Sequence, residues 1–363
     1  MLELKSNVDW YRGFHEFLLE TPDFIEFAGM FGGTPVLNTD DADLIKLHQR
    51  AIGFLHYQLD EKGRQRFFRA ITSYANRYDV DIPKMDRDYL PYLQSLNEEG
   101  WVQLPDIDKK TVVNLVDHFK NGPLLPWGVT SKDQYMKAAD LRSKTNVATV
   151  PDEFLSNRPD ILNLALSHEA LSIAANHMQA PPILLGITAW TSFSAQDNPE
   201  RRPLEAQKFH FDLSDYRFVK QFIYLTDVDM ESGPHVYAAK THRSGVILAA
   251  RDKCVRDGLI NEAEFNEWYF RTLRKEDCDV ENYLNCAPVA ITGKAGSRLM
   301  VNTEGIHKGL MPVAKDRWIL QFLYGVSASM QIDTNNGLKF SRENFLAQNS
   351  SLARYSGQFL NIV

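Results

Sequence analysis

The sequence predicts an α+β chain: a mainly β core with flanking helices, preceded by a helical extension over residues 1–95. Three features carry that expectation. Up to about residue 95, apolar side chains recur at the spacing of a helix face. Beyond Trp101, the apolar stretches shorten and alternate as in half-buried strands, most clearly in Phe218 to Val228 and Arg317 to Gly325. Just ahead of the first of these strands lies Phe209-His210-Phe211-Asp212-Leu213, where an imidazole and a carboxylate two residues apart project from one face.

The elements follow in order. Leu44, Leu47, Ala51 and Leu55 repeat as an amphipathic helix after an Asp40-Asp41 cap, and Phe67, Ile71, Tyr74, Ala75 and Tyr78 form a second stripe. Such an aromatic stripe reads as packing against the β core; a dimer contact, giving a homodimer, or a cover over a substrate mouth is the alternative. Gly29, Gly32, Gly33 and Pro35 mark a loop that lacks the strand-before, helix-after setting of a phosphate-binding loop. A short strand begins near Trp101. It leads to an Asp108-capped helix carrying Val112, Leu115, Val116 and Phe119, stopped at Gly122-Pro123.

One further helix spans roughly Pro159 to His177, with His168 and His177 as structural histidines. The run Ile183 to Phe193 is a core strand, too short for a membrane span. In the polar loop that follows, Arg201 and Arg202 either meet an anionic group on a substrate or form a solvated surface pair. Residues 245–290 read as an insertion whose helix, Asn261 to Arg274, bears Phe265, Trp268 and Tyr269, for core packing or as a lid. The β core is expected over residues 96–326, with 327–363 as a tail packed on it.

His210 and Asp212 supply two ligands from one strand, and His307 supplies a third. Two histidines and one carboxylate leave three positions of an octahedral Fe(II) open, for a chelating cosubstrate and for oxygen. His235 and His242 compete for the second imidazole position, but His307 alone ends a strand, Arg298 to Thr303, and precedes an arginine, Arg317, on the next one. That guanidinium is a planar fork suited to a distal carboxylate. The other reading of Arg317 is a buried salt bridge to an aspartate.

The ordered set of His210-x-Asp212, the strand closed by Glu231-Ser232-Gly233, the Thr241-His242 turn, and His307 followed by Arg317 resembles the phytanoyl-CoA dioxygenase family of 2-oxoglutarate oxygenases, over roughly residues 95–326. The resemblance implies a double-stranded β-helix of the jelly-roll, cupin-like kind. It implies Fe(II) held by His210, Asp212 and His307, with 2-oxoglutarate as cosubstrate bound at its far end by Arg317. It gives His242 a structural role and suggests Tyr216 and Phe222 as cosubstrate-lining residues, with core packing as the alternative for both. The family's frequent serine two residues after the distal histidine is Gly309 here. Halogenating relatives replace the carboxylate with a small residue, so Asp212 favours hydroxylation; desaturation and ring closure start from the same hydrogen abstraction.

Bulk properties bound the partners. With a net charge of −7 the 363-residue chain offers no broad basic surface for nucleic acid. The start lacks a signal-peptide pattern and no apolar run reaches bilayer length, so a cytoplasmic protein without membrane contact is expected. Cys254, Cys278 and Cys286 are odd in number and outside any Cys-x-x-Cys spacing, which suits reduced thiols. Apart from Arg201 and Arg202, no lysine or arginine cluster is visible near the expected mouth to meet the phosphates of an acyl-CoA. A small polar metabolite, such as an amino acid, a sugar or a natural-product intermediate, is therefore the expected substrate, with O₂.

Overall fold

The structure is a computed structural model that describes residues 7–29, 41–57, 61–78, 80–156, 158–196, 200, 202–328, 339–348 and 350–362. Gly32, Gly33, Pro35 and Arg201 lie outside the described residues.

Ten strands build the core: β1 Trp101–Leu104, β2 Leu125–Pro126, β3 Val147–Thr149, β4 Ile183–Ser192, β5 Phe218–Tyr224, β6 His235–Tyr237, β7 Val289–Ile291, β8 Arg298–Val301, β9 His307–Gly309 and β10 Arg317–Gly325. Seven form an antiparallel sheet in the order β1-β8-β5-β10-β4-β3-β2, and three form a smaller sheet in the order β7-β6-β9. The small sheet is extended by a bridge between His210 and His307. From β4 to β10 the chain passes back and forth between the two sheets, the arrangement of a double-stranded β-helix. The inner faces enclose Phe222, Tyr224, Tyr237, Leu299, Val301 and Ile319. Alternation on each strand therefore decides which side chains enter the barrel.

The entry to β1 is set by Gly100, which ends the helix Leu90–Glu99 at a φ of 87°. A Cβ there would collide with the Tyr237 hydroxyl, so glycine serves both the left-handed turn and the close approach. Asp108 caps the next helix by accepting from the Thr111 N–H at 2.9 Å.

Two boundaries differ from the sequence expectation. The single helix expected over Pro159 to His177 is two, Pro159–Ala165 and His168–Met178, because Ser167 accepts from the Ala170 N–H and caps a new start. The helix expected from Asn261 to Arg274 is a capped turn, Glu262–Asn266, followed by a π-type turn, Glu267–Arg271. Phe265, Trp268 and Tyr269 of this insertion pack with Phe209, Val236 and Ile306 on the outer side of the small sheet.

The N-terminal helices share one apolar cluster with the larger sheet. Trp10 and Tyr74 meet edge to face at 5.2 Å, and Phe67 and Tyr216 do so at 4.9 Å. Buried aromatic pairs of this geometry add about 0.5–1.5 kcal/mol each beyond their area. Near the C-terminus, Tyr355 packs on Tyr78 at 5.6 Å. Among the described residues no helix is long and apolar enough to cross a membrane, and Cys254, Cys278 and Cys286 are free.

Candidate metal centre

His210 and Asp212 enter the barrel from the segment that bridges to β9, and His307 opens β9 itself. Backbone bonds fix the pairing: His210 and His307 exchange N–H···O=C bonds at 2.9 and 2.8 Å, and the Asp212 N–H donates to the Thr303 carbonyl at 2.8 Å. Across this frame the His210 Nε2 lies 3.6 Å from Asp212 Oδ1, and the His307 Nε2 lies 3.5 Å from Asp212 Oδ2. One donor atom from each of the three falls within 4.8 Å of the others, a group able to hold a metal ion.

The imidazoles are oriented for ligation. Nδ1 of His210 faces the Lys208 carbonyl at 2.9 Å, and Nδ1 of His307 faces the Gly305 carbonyl at 2.8 Å. A carbonyl can only accept, so each Nδ1 carries the proton and each Nε2 presents its lone pair to the shared centre. Burial, reinforced by His307, pushes His210 down to about 3, against the pull of Asp212. Burial works against ionisation of Asp212, yet Lys220 and the two imidazoles outweigh it and hold the carboxyl well below its usual range. His210 and Asp212 are thus in their ligating forms at neutral pH.

Lys220 escaped notice in the sequence. It lies on β5, two residues before Phe222 and on the same inward face, and donates to Asp212 Oδ2 at 2.6 Å. Period-two alternation within the expected strand was a signal that could have found it.

Arg317 opens β10, and its side chain is 3% exposed. It donates to the Leu310 carbonyl at 3.4 Å and to the Ser192 hydroxyl at 3.3 Å, both long, and its Nε has no partner. Among the described residues no carboxylate pairs with it, so the buried salt bridge to an aspartate is not what the structure contains. Burial lowers the guanidinium to about 10. Gly309 leaves the space it occupies: a Cβ there would stand 3.0 Å from Nη2. Glycine at this position thus makes room for the guanidinium, and Ser192 of β4 brings a hydroxyl to it.

Other sequence candidates separate. Phe222 lies beside the centre, its ring 5.1 Å from that of His235, which stacks on His307 at 5.3 Å. Tyr216 packs instead between His48 and Phe67 in the helical cluster, away from the three ligands, because Asp215 turns the chain there. Asp215 accepts from the Tyr216, Val326 and Ser327 N–H groups at 2.7, 2.6 and 2.9 Å, which ties the exit from the His-x-Asp segment to the end of β10. His242 bonds the Asn97 carbonyl at 3.1 Å, beside a Thr241 hydroxyl that accepts from the Ile306 N–H. His177 is held between Asn97 and Asn302. Arg202 is exposed and pairs with Glu200 at 3.9 Å.

A cleft of about 1290 Å³ lies beside these strands, lined by Phe211, by Asn302 and Glu304 ahead of His307, and by the helix Glu61–Ala75 and the start of the insertion. Arg64, Arg217, Arg243 and Lys253 all line it. These four come from three separate parts of the chain, and Lys253 pairs with Asp257 at 2.9 Å.

No protein-family model and no curated protein matches the chain. Among solved structures it is similar to the non-heme alpha-ketoglutarate-dependent epimerase SnoN from nogalamycin biosynthesis, at 14% identity over 67% of this chain and 86% of that one, TM-score 0.42. It is similar to HygX from Streptomyces hygroscopicus with nickel, 2-oxoglutarate and hygromycin B bound, at 16% identity over 66% and 87%, TM-score 0.41. The carbocyclase SnoK from nogalamycin biosynthesis gives 15% identity over 68% and 85%, TM-score 0.39.

Proposed function

We propose that the chain is an Fe(II)- and 2-oxoglutarate-dependent oxygenase of the kind found in the phytanoyl-CoA dioxygenase family, hydroxylating an aliphatic C–H of a small polar metabolite with release of succinate and CO₂. One observation supports this above the rest: two Nε2 atoms and a carboxylate converge within 4.8 Å in the same barrel that buries a guanidinium with no carboxylate partner among the described residues. Leaving such a cation buried and unmatched is costly, and a dicarboxylate whose far end reaches it relieves that cost.

His210, Asp212 and His307 would hold the iron. When bound, the metal would supply oxygen activation coupled to decarboxylation of the keto acid. The chain's own residues do the rest. Arg317 would orient the C5 carboxylate through a two-pronged contact, Ser192 adding a hydroxyl. Lys220 fixes the rotation of Asp212 and keeps it ionised, while the Lys208 and Gly305 carbonyls fix both imidazole tautomers. Phe222 and His235 close the apolar side of the space and exclude water. Asp212 occupies the position that halogenating relatives leave small, which favours hydroxylation; desaturation or cyclisation would begin from the same hydrogen abstraction.

The test is iron-dependent succinate formation from 2-oxoglutarate, coupled to a screen for disappearance of candidate metabolites. Asp212→Ala is expected to abolish both. Full turnover in that variant would overturn the assignment.

A further inference from the structure

The two segments that carry the metal ligands are short. His210 and His307 meet at a single bridge and β9 has 3 residues, so no long ladder holds either imidazole in place. Alternation turns His210, Asp212 and His307 inward and leaves Phe209, Phe211 and Lys308 on the outer face. On that outer face, residues 274–277 of the insertion take hold of the same segments. The Lys275 N–H donates to the Phe209 carbonyl at 2.7 Å, which makes a second bridge one residue from the first. Glu276 pairs at 2.7 Å with Lys208, whose carbonyl faces Nδ1 of His210. Both oxygens of Asp277 accept from Lys308, the residue after His307, at 2.7 and 2.6 Å. Arg274 reaches Glu205 at 3.2 Å.

Two buried lysines carry the grip. Lys275 and Lys308 are 1% and 5% exposed. Lys308 Nζ stands 4.4 Å from the Phe209 ring centre and Lys275 Nζ 5.0 Å from that of Phe211, so each outward ring of the His-x-Asp segment has an ammonium over it. A buried ammonium stripped of its carboxylate is costly and turns toward water. Without Asp277, Lys308 has to leave its seat, and His307 is joined to it through one peptide bond. We infer that residues 274–277 are a clamp that positions the imidazoles of His210 and His307, with the ion pair of Lys308 and Asp277 as its main contact. Lys308 and Asp277 are positioning residues, acting through the backbone of the ligand-bearing segments. This end of the insertion cannot lift as a lid without breaking these bonds. The inference rests on the metal-centre reading and adds the insertion to that centre.

The experiment uses the full-length protein and three readouts: Mn(II) affinity by equilibrium dialysis, the visible absorption of the Co(II)-loaded protein, and hydrogen exchange of the His210 and His307 amides without metal. Lys308→Met keeps an unbranched stem over Phe209 and leaves behind only the exposed Asp277. Its Mn(II) affinity should fall about tenfold, and Asp277→Asn, which strands the buried ammonium, should lose up to about a hundredfold. The double variant should return to the level of Lys308→Met, because the pair acts as a unit. Asp277→Glu should restore most of the affinity. In Lys308→Met and Asp277→Asn the Co(II) absorption should change and both amides should exchange about tenfold faster. Arg251→Gln removes ion pairs with Asp252 and Glu262 inside the same insertion and should leave all three readouts unchanged. If Asp277→Asn does not fold, Lys308→Met decides. Parent-like affinity, absorption and exchange in Lys308→Met overturn the inference, as does an equal loss in Arg251→Gln. A parent that binds neither metal sinks the metal-centre reading, whereas amide exchange in the metal-free protein tests the clamp by itself.

Discussion

Replacing Arg317 with methionine separates a cosubstrate-binding cation from a structural one, because the two roles give opposite signs for stability. Burial holds the guanidinium at about 10 against an ordinary 12.5, a displacement equivalent to about 3 kcal/mol against the charged form. Neutral pH is below both values, so Arg317 is charged in the folded and unfolded states alike and the folded ligand-free protein carries that cost in full. Against it stand two long hydrogen bonds, to Leu310 and Ser192, worth together about 1–2 kcal/mol. Methionine keeps an unbranched apolar stem in the same space. The ligand-free variant should therefore be about 1–2 kcal/mol more stable than the parent in urea unfolding. With 2-oxoglutarate the order reverses. Losing one partner of a buried charge pair costs about 2–5 kcal/mol of binding, at least a thirtyfold rise in Kd. At a hundred times its Kd the cosubstrate should stabilise the parent, loaded with Mn(II) to prevent turnover, by about 2.7 kcal/mol and the variant by no more than about 0.9 kcal/mol. A variant less stable than the parent without ligand, and still stabilised by 2-oxoglutarate, would show that the guanidinium is a fold element and that the cosubstrate, if any, lies elsewhere.

Further expectations follow from the same geometry. Gly309→Val should push the Arg317 guanidinium aside, since even a Cβ would stand 3.0 Å from Nη2; 2-oxoglutarate affinity should fall about tenfold or more while metal affinity, read by equilibrium dialysis, stays. Phe67→Ala removes a fully buried ring packed on Tyr216 and should cost about 3–5 kcal/mol in urea unfolding; a loss under 1 kcal/mol would mean that the N-terminal helices fold apart from the barrel. His48, which burial lowers to about 3, has a folded value below its unfolded one, so its contribution is present above about 6.5 and is lost as pH falls toward 3. His48→Gln should flatten the stability profile across that window by about 1.4 kcal/mol per pH unit relative to the parent; Asp215, pushed up to about 6 by burial, works in the opposite direction in both proteins and cancels in the comparison.

How much of this was legible in the chain depends on distance along it. His210 and Asp212 are a local statement: period-two alternation alone places both on one face, and the structure puts them 3.6 Å apart. Lys220 belonged to the same local pattern, and the strand containing it was expected, but a lysine in a core strand reads as a solvated edge until Asp212 is seen 2.6 Å away. The break at Ser167 was likewise readable as a cap, and was overridden by continuous apolar spacing. The resemblance suggests Tyr216 as a cosubstrate-lining residue, whereas the structure turns at Asp215, whose carboxylate is captured by backbone N–H groups of residues 326 and 327. No spacing rule carries a contact across 111 and 112 positions. The same holds for the cleft. Arg64 and Arg217 stand 153 positions apart in the numbering and share the ring of Phe68 only because the helical extension packs over the end of the barrel. A ligand set can be written in one strand because its chemistry needs atoms within a few ångströms. Contacts between segments so far apart are set by how the helical extension packs on the barrel, and that packing is what the order of residues shows least.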